Sequence, residues 1–287
     1  MALHIGWFST GRDPAARNLL KAVYVDIMAN GIPASIDWIF CHRETGDGPA
    51  SDEYVQREMF FELAAELNIP VATRSHVRFM PDLRRRGLQE SGSAAEPSPA
   101  LVEWRNLYGA EVLKSVDLMP KVDLIVMAGY MLILGEPELE RLDMVNIHPA
   151  YPWGPRGTWQ EVIHQLMAEE AKDQGIMVHL VTRVLDRGPV ISYCGFPIRG
   201  EGWDHLWTAW KEEISPDSPL EVRESHPLFK KIRHEGEIRE LPLLCGAIRE
   251  LALGNIIVRD RKIWAGGKVQ EDGVDLTATI EETVATG

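Results

Sequence analysis

Val145-Asn146-Ile147-His148-Pro149, running on into Tyr151-Pro152-Trp153-Gly154-Pro155-Arg156-Gly157, is the stretch on which the reading of this chain turns. Side chains alternate faces along an extended strand, so Asn146 and His148 point the same way. Pro149 and the turn-rich residues after it end the strand just beyond the histidine. An amide and an imidazole therefore share the C-terminal end of a strand, where open α/β sheets place their ligand sites. Leu185-Asp186-Arg187-Gly188-Pro189 supplies a third group, because Asp186 precedes a Gly-Pro turn and is the carboxylate able to meet the other two. One such group binds developing oxyanion charge, one moves a proton and one tunes the mover. That is a kit for acyl transfer.

Outward from this stretch, strands and helices alternate. Leu3–Phe8 reads as a strand, and Asp13-Pro14 opens a helix as N-cap and first helical residue. Ala15, Ala16, Leu19, Leu20, Val23 and Ile27 line one face of that helix. Ala34–Phe40, Ile69–Thr73 and Leu124–Ala128 read as strands, with helices over Asp52–Leu67 and near 101–118. Beyond the central stretch come a helix from Thr158 to about Asp173, burying Trp159, Val162, Ile163, Leu166 and Met167, and strands at Ile176–Thr182 and Val190–Pro197. Pro242–Leu253 reads as an amphipathic helix and Asn255–Trp264 as a hairpin turning at Arg259-Asp260-Arg261. This alternation predicts an α/β fold: one doubly wound, mostly parallel sheet with helices on both faces. A single domain over 1–287 is expected, with insertions near 74–100, including the polar, turn-rich Glu90–Pro99, and near 200–231.

Composition narrows the partners. At 287 residues and 45% apolar, a substantial core is available, and the formal net charge of −13 disfavours a nucleic-acid backbone or an anionic membrane as main partner. The three cysteines, Cys41, Cys194 and Cys245, form no C-x-x-C pair, so neither structural zinc nor a disulfide framework is expected, and no metal-ligand spacing is present. The N-terminus runs directly into a strand and no apolar run approaches the ~18 residues of a membrane span. A cytoplasmic protein acting on small molecules is the expectation.

Three ordered motifs now carry a resemblance. Asp123-Leu-Ile-Val-Met-Ala-Gly-Tyr-Met-Leu-Ile-Leu134, then Asn146-Ile-His148-Pro, then Val178-His-Leu-Val-Thr-Arg-Val-Leu-Asp186-Arg-Gly-Pro-Val-Ile191 resemble the folate-dependent formyltransferases, most of all the phosphoribosylglycinamide (GAR) formyltransferases. The resemblance is clear over roughly 123–198 and weaker at the N-terminus and around 237–265. It implies a Rossmann-type formyltransferase domain that uses 10-formyltetrahydrofolate as co-substrate and a small-molecule amine as acceptor. Asn146, His148 and Asp186 would be catalytic, with protonated His148 and Asn146 stabilising the oxyanion and Asp186 raising the imidazole's proton affinity. Met131, Leu132, Ile133 and Leu134 read by composition as core, but the resemblance makes them one wall of a pterin pocket, with Thr182, Arg183, Val184 and Leu185 closing the other side. Leu132 stands where the bacterial pattern has arginine, a change that main-chain contacts tolerate. Arg105 falls close to a family arginine that meets the folate, and it reads equally well as a solvated helix residue. His179 reads as a hydrogen-bonded core histidine, and His164 and His205 as structural.

The first turn departs from the family. A glycine-rich Ser-Gly-x-Gly type loop, whose amides cradle a phosphate at a helix N-terminus, is replaced by Ser9-Thr10-Gly11-Arg12-Asp13-Pro14. Pro14 removes a donor and Asp13 repels an anion. The expectation is a phosphate held by Gly11 amides and the Arg12 charge, assisted by the Lys230-Lys231-x-Arg233-His234 cluster, with the acceptor amine near Glu237. Glu237 lies five residues before Pro242, the spacing of a family glutamate, and reads nearly as well as an exposed glutamate. Formylation of an amino-sugar nucleotide, hydrolysis of formyltetrahydrofolate and a non-catalytic folate-binding module remain the alternatives.

Overall fold

The computed structural model describes residues 2–48, 51–92, 96–215 and 217–286. The chain forms two compact units, residues 1–146 and 147–287. The first contains β1 (Leu3–Ser9), α1 (Pro14–Asn30), β2 (Ala34–Cys41), α2 (Asp52–Glu66), β3 (Val71–Thr73), α3 (Pro81–Glu90), α4 (Pro99–Val116), β4 (Leu124–Met127), α5 (Glu136–Arg141) and the start of β5 (Met144–His148). Its strands are all parallel in the order β5-β4-β1-β2-β3. From β1 the chain moves one way along the sheet to β2 and β3, then returns past β1 to β4 and β5. Right-handed crossovers therefore put α1 and α2 on one face and α4 and α5 on the other. The reversal falls between β1 and β4, so the crevice beyond their C-terminal ends is the switch point where such sheets bind ligands.

Strands covered on both faces read as continuous apolar runs. Ile5, Trp7 and Phe8 of β1 and Trp38, Ile39 and Phe40 of β2 are all fully buried. Each large side chain removed from water here contributes roughly 1.5–3 kcal/mol. Gly6 makes one of these contacts possible, because a Cβ there would stand 2.6 Å from the Trp38 ring. Asp13 caps α1 as expected, its Oδ1 accepting from Ala16 N at 2.9 Å. The buried face of α1 holds Ala16, Leu19, Leu20, Val23 and Ile27, whereas Ala15 is exposed.

The second unit carries α6 (Trp159–Ala168), β6 (Asp173–Leu180), β7 (Val190–Pro197), α7 (Asp204–Glu213), α8 (Leu220–Ser225), α9 (Pro227–Ala252), β8 (Ile256–Arg259), β9 (Lys262–Ala265), β10 (Lys268–Val269), β11 (Val274–Asp275) and α10 (Thr277–Thr286). Its strands run β11-β7-β6, with β6 antiparallel to β7 and β7 parallel to β11. β8, β9 and β10 form a separate antiparallel meander, whose first hairpin turns at Asp260-Arg261 as expected. The fold is thus α/β, a mostly parallel sheet arrangement flanked by helices.

Both expected insertions are more ordered than their composition implies. Near 74–100, α3 occupies ten residues, and the serines read as loop formers act as caps. Ser98 Oγ accepts from Leu101 N at 3.2 Å and donates to Gly87 O at 2.8 Å. Residues 93–95 of the expected loop lie outside the described residues. Near 200–231, α7 and α8 replace the expected irregular stretch, anchored by Trp207, which is buried and donates through Nε1 to Ile198 O at 2.6 Å. The Arg199 guanidinium covers the same ring at 3.5 Å. The helix expected at Pro242–Leu253 is the second half of the 26-residue α9, with Pro242 inside it.

Candidate active site

β5 positions the first two groups. Asn146 pairs across the ladder with Met127 of β4 and is half-buried, and His148, two residues on, occupies the same face. His148 is buried at 3% exposure, and its Nε2 lies 3.1 Å from Pro155 O. A carbonyl only accepts, so Nε2 carries the hydrogen and Nδ1 of the neutral ring is the lone-pair nitrogen. That Nδ1 faces Asp186 Oδ2 at 3.6 Å. At this separation Asp186 acts on the imidazole as a charge rather than as a hydrogen-bond acceptor.

The loop that supplies Pro155 is held by two glycines. Gly175 of β6 and Gly195 of β7 are register partners, and a Cβ on either would meet the Tyr151 side chain, at 2.3 and 1.7 Å. Tyr151 therefore lies flat over a glycine window in the sheet and stacks on Trp153 with ring centroids 4.9 Å apart. Arg156 closes the loop from the other side, its guanidinium donating to the carbonyls of Tyr151, Pro152 and Pro155.

Asp186 occupies a left-handed turn. Its φ of +51° lies in a region that, glycine apart, is adopted mainly by Asn, Asp and His. The carboxylate is buried at 7% exposure between two histidines: Oδ2 faces His148, and Oδ1 faces His179 Nε2 at 3.6 Å. His179 is fixed by a 2.9 Å bond from Nδ1 to Leu180 O. A carboxylate buried between two imidazoles is the pattern of a functional group rather than of a turn former. Gly188 permits the turn, since a Cβ there would sit 1.7 Å from Leu180 O.

The electrostatics correct one expectation. Burial pushes the Asp186 carboxyl up, but His179, His148 and Arg156 together outweigh it, so the group stays ionised below the usual carboxylate range. For His148 the balance is reversed. Burial lowers its proton affinity more than Asp186 and Pro155 O raise it, with His179 and Arg156 adding to the fall. Asp186 raises the proton affinity of His148, as expected, yet the net shift is downward and the resting imidazole is neutral at pH 7. Cys41 and Cys194 are buried and their thiols are pushed up to about 12, so neither is an activated nucleophile. Among the described residues no group of three or more His, Cys, Asp and Glu side chains is arranged to hold a metal ion.

The switch-point crevice of the first unit is built differently from a phosphate cradle. Thr10 N donates to Gly129 O at 3.0 Å, Met131 N donates to Thr10 Oγ1 at 3.0 Å, and Gly11 N donates to Ser9 Oγ at 3.2 Å. The Gly11 amide expected to hold a phosphate is therefore engaged inside its own turn. Arg12 pairs with Asp13 at 3.7 Å. Beneath the turn lies a chain of groups that sequence reasoning missed. Thr10 Oγ1 is 2.6 Å from His42 Nε2, and His42 Nδ1 is 2.8 Å from His76 Nδ1, which also meets His42 O at 2.9 Å. The carbonyl fixes the proton on His76 Nδ1, so His42 Nδ1 accepts and His42 Nε2 donates to Thr10. Both histidines are buried, and burial lowers the proton affinity of each, that of His76 to about 4. Two histidines a few residues beyond separate strand ends give no sequence signal of their own.

Met131 and Ile133 are exposed and Leu132 and Leu134 half-buried, so this segment is not the plain core that its composition implies. Its far end is anchored by buried Glu138, which accepts from Gly135 N at 2.8 Å. Arg105 on α4 adjoins this anchor, for a Cβ on Gly135 would stand 2.4 Å from Arg105 O. Burial lowers the proton affinity of the Arg105 guanidinium, so it is not a plain solvated helix arginine. In the second unit, Thr182 and Arg183 lead into Val184 and Leu185, both more than half exposed, and Thr182 Oγ1 donates to Val184 O at 3.1 Å. Two aliphatic side chains presented on a turn suit an apolar ligand surface. Glu237 does not precede a helix as expected but lies within α9, paired with Arg233 at 2.9 Å. Arg233 also binds Glu240 at 2.7 Å, and Lys231 donates to Gly202 O at 2.6 Å, so much of the expected Lys230–His234 clamp is already committed.

The sequence and the fold both have known counterparts. The formyl transferase family profile matches residues 62–201. The phosphoribosylglycinamide formyltransferase of Dictyostelium discoideum is 33% identical over 103 residues, 33% of this chain and 50% of that protein, so the match spans about half of the relative's length. Among solved structures, the phosphoribosylglycinamide formyltransferase of Coxiella burnetii superposes with a TM-score of 0.58 at 19% identity, covering 96% of this chain and 99% of that one. A formyltetrahydrofolate deformylase of Pseudomonas syringae shares the fold with a TM-score of 0.55 at 18% identity, covering 92% of this chain and 66% of that one.

Proposed function

Because this chain belongs to the formyl transferase family, we propose that it moves the formyl group of 10-formyltetrahydrofolate to the primary amine of a small substrate, with phosphoribosylglycinamide as the acceptor. The observation that carries this reading is Asp186, ionised, buried and held at a left-handed φ against His148 at the end of the strand that bears Asn146. The Asn146 amide donates to the oxygen that becomes negative as the amine attacks the formyl carbon. The resting imidazole of His148 takes up the proton that the amine releases, and Asp186 stabilises the imidazolium so formed. The same proton then goes to the folate nitrogen as the carbon–nitrogen bond to the donor breaks. Met131–Leu134 and Thr182–Leu185 would contact the folate, and Arg105 would meet its polar end. A cytoplasmic location fits this chemistry, and no helix among the described residues is long and apolar enough to cross a membrane.

Hydrolysis of formyltetrahydrofolate is the second reading. It is favoured by the Gly11 amide being turned onto Ser9 and by the fold shared with the deformylase. Purified protein supplied with 10-formyltetrahydrofolate, with and without phosphoribosylglycinamide, separates the two. Acceptor-dependent release of tetrahydrofolate with stoichiometric formylated product supports transfer. Release at the same rate without the amine identifies a hydrolase.

A further inference from the structure

A cavity of about 420 Å³ opens in the second unit beside the His148–Asp186 pair. Three segments wall it: Pro152 and Arg156 from the loop after β5, Arg187 to Val190 from the turn that bears Asp186, and the β8–β9–β10 meander. Four cations line it, Arg156, Arg187, Arg261 and Lys262, against two carboxylates, Glu271 and Asp272. In a chain of net charge −13 this local excess of positive charge runs against the average.

Two further features point to a ligand. Arg156 is pinned by three carbonyls, and burial and then the nearby Arg187 charge lower its proton affinity, with Asp186 opposing. Two guanidiniums held within each other's field cost free energy that a bound anion offsets. The hairpin between β8 and β9 turns through Asp260 and Arg261 at φ +52° and +55°; aspartate suits the first position, whereas the second, held by Arg261, favours glycine. The chain thus accepts backbone strain at the position that brings Arg261 to the cavity wall.

From this geometry we infer that the Arg156–Arg187–Lys262 cavity is an anion site for a phosphorylated sugar, with guanidinium and ammonium groups on the phosphate and Glu271 and Asp272 accepting from sugar hydroxyls. The cavity has room for more than a phosphate group and falls in the size range of small-molecule sites. The phosphate has two possible sources, the formyl acceptor or a separate phosphorylated ligand. Assigning it to the acceptor rests on the transferase reading, whereas the site itself does not.

Ribose 5-phosphate is the probe, titrated calorimetrically into the full chain. Wild type should bind it with an affinity that falls as salt rises, and Arg187→Ala with Lys262→Ala should weaken binding at least ~10-fold, the scale of a lost charge-assisted bond. Both side chains are exposed, Arg187 on a turn and Lys262 at the start of β9, and an unchanged melting temperature with unchanged folate-analogue binding shows that the double variant is folded. Arg187→Lys, which keeps the charge and loses the fork, should fall between the two. A raised KM for phosphoribosylglycinamide in Arg187→Ala, with the folate KM unchanged, assigns the phosphate to the acceptor. An unchanged acceptor KM with ribose 5-phosphate binding lost assigns it to a separate ligand. No binding by wild type, or equal binding by wild type and the double variant, overturns the site whether or not formyl transfer is observed.

Discussion

Acidification should destabilise the first unit through its buried histidine pair, and the size of the effect follows from the structure. His76 is 4% exposed and its proton affinity lies at about 4, against an ordinary value of 6.5. Burial is the main cause. The Arg43 and Arg84 charges add to it, while the bond to His42 O and the Asp47 charge oppose it. Between these two values the unfolded chain binds a proton that the folded chain refuses, so stability is full above about pH 6.5 and is lost as pH falls towards 4. At about 1.36 kcal/mol per unit, the loss from pH 7 is about 2 kcal/mol by pH 5 and about 3 kcal/mol by pH 4. His42 adds to this, since protonating its Nδ1 would bring two N–H groups face to face across the 2.8 Å contact with His76. The assay is urea denaturation at a series of pH values, followed by tryptophan fluorescence, for which Trp7 and Trp38 are buried reporters in the same unit. His76→Asn keeps a donor for His42 O without a titrating ring. It should cost about 1 kcal/mol at pH 7 and flatten the acid limb by about 2 kcal/mol between pH 7 and 5. A wild-type midpoint that is level from pH 7 to 5, or a variant that keeps the full acid limb, would refute the neutral-pair assignment.

Other consequences can be checked separately. His148→Ala, Asn146→Ala and Asp186→Asn should each lower turnover at least ~100-fold with a much smaller effect on melting temperature, and near-normal formyl transfer by His148→Ala would sink the mechanism. A 10-formyl or 5-deaza folate analogue should raise the melting temperature with concentration, and Ile133→Trp should weaken that effect without unfolding the chain. Absence of binding at millimolar folate would remove the donor assignment. Gly195→Ala should displace Tyr151 and with it the Pro155 carbonyl, lowering kcat. A second change, Tyr151→Leu, should relieve the clash, and a Gly195→Ala enzyme with unaltered kcat would show that the loop does not position His148.

The part of the site that was legible in the sequence is the part set by strand periodicity and chain order. Asn146 and His148 share a face because alternation in a strand is a local rule, whereas Asp186 alone reads as an ordinary turn aspartate and its place in the site is what the family resemblance implies. The alternating order of strands and helices likewise gave the α/β class. What stayed hidden depends on contacts distant in sequence. His179 reads as core, and it is buried, but its approach to Asp186 comes from the turn at Gly188 folding back on Leu180 O. The flat placement of Tyr151 requires two glycines on different strands to become register partners, which neither glycine announces alone. The stretch near 200–231 reads as irregular in sequence, although a tryptophan on a short charged helix, Trp207 on α7, marks a face that packs.

The acceptor side was illegible for a different reason. A glycine-rich turn would have exposed its amides by default, but Ser9-Thr10-Gly11 uses its hydrogen-bonding groups inward, on Gly129, Met131 and Ser9 itself. Thr10 Oγ1 accepts from both Met131 N and His42 Nε2, so the turn's shape depends on a buried neutral histidine pair rather than on a bound anion. A turn closed in this way does not need a phosphate to satisfy its donors, and Asp13 at the helix N-terminus makes an anion less welcome still. An acceptor that carries a phosphate must then find its positive charge elsewhere. The cations of Arg156, Arg187 and Lys262 line a cavity walled by the turn that bears Asp186, and they match that requirement in sign.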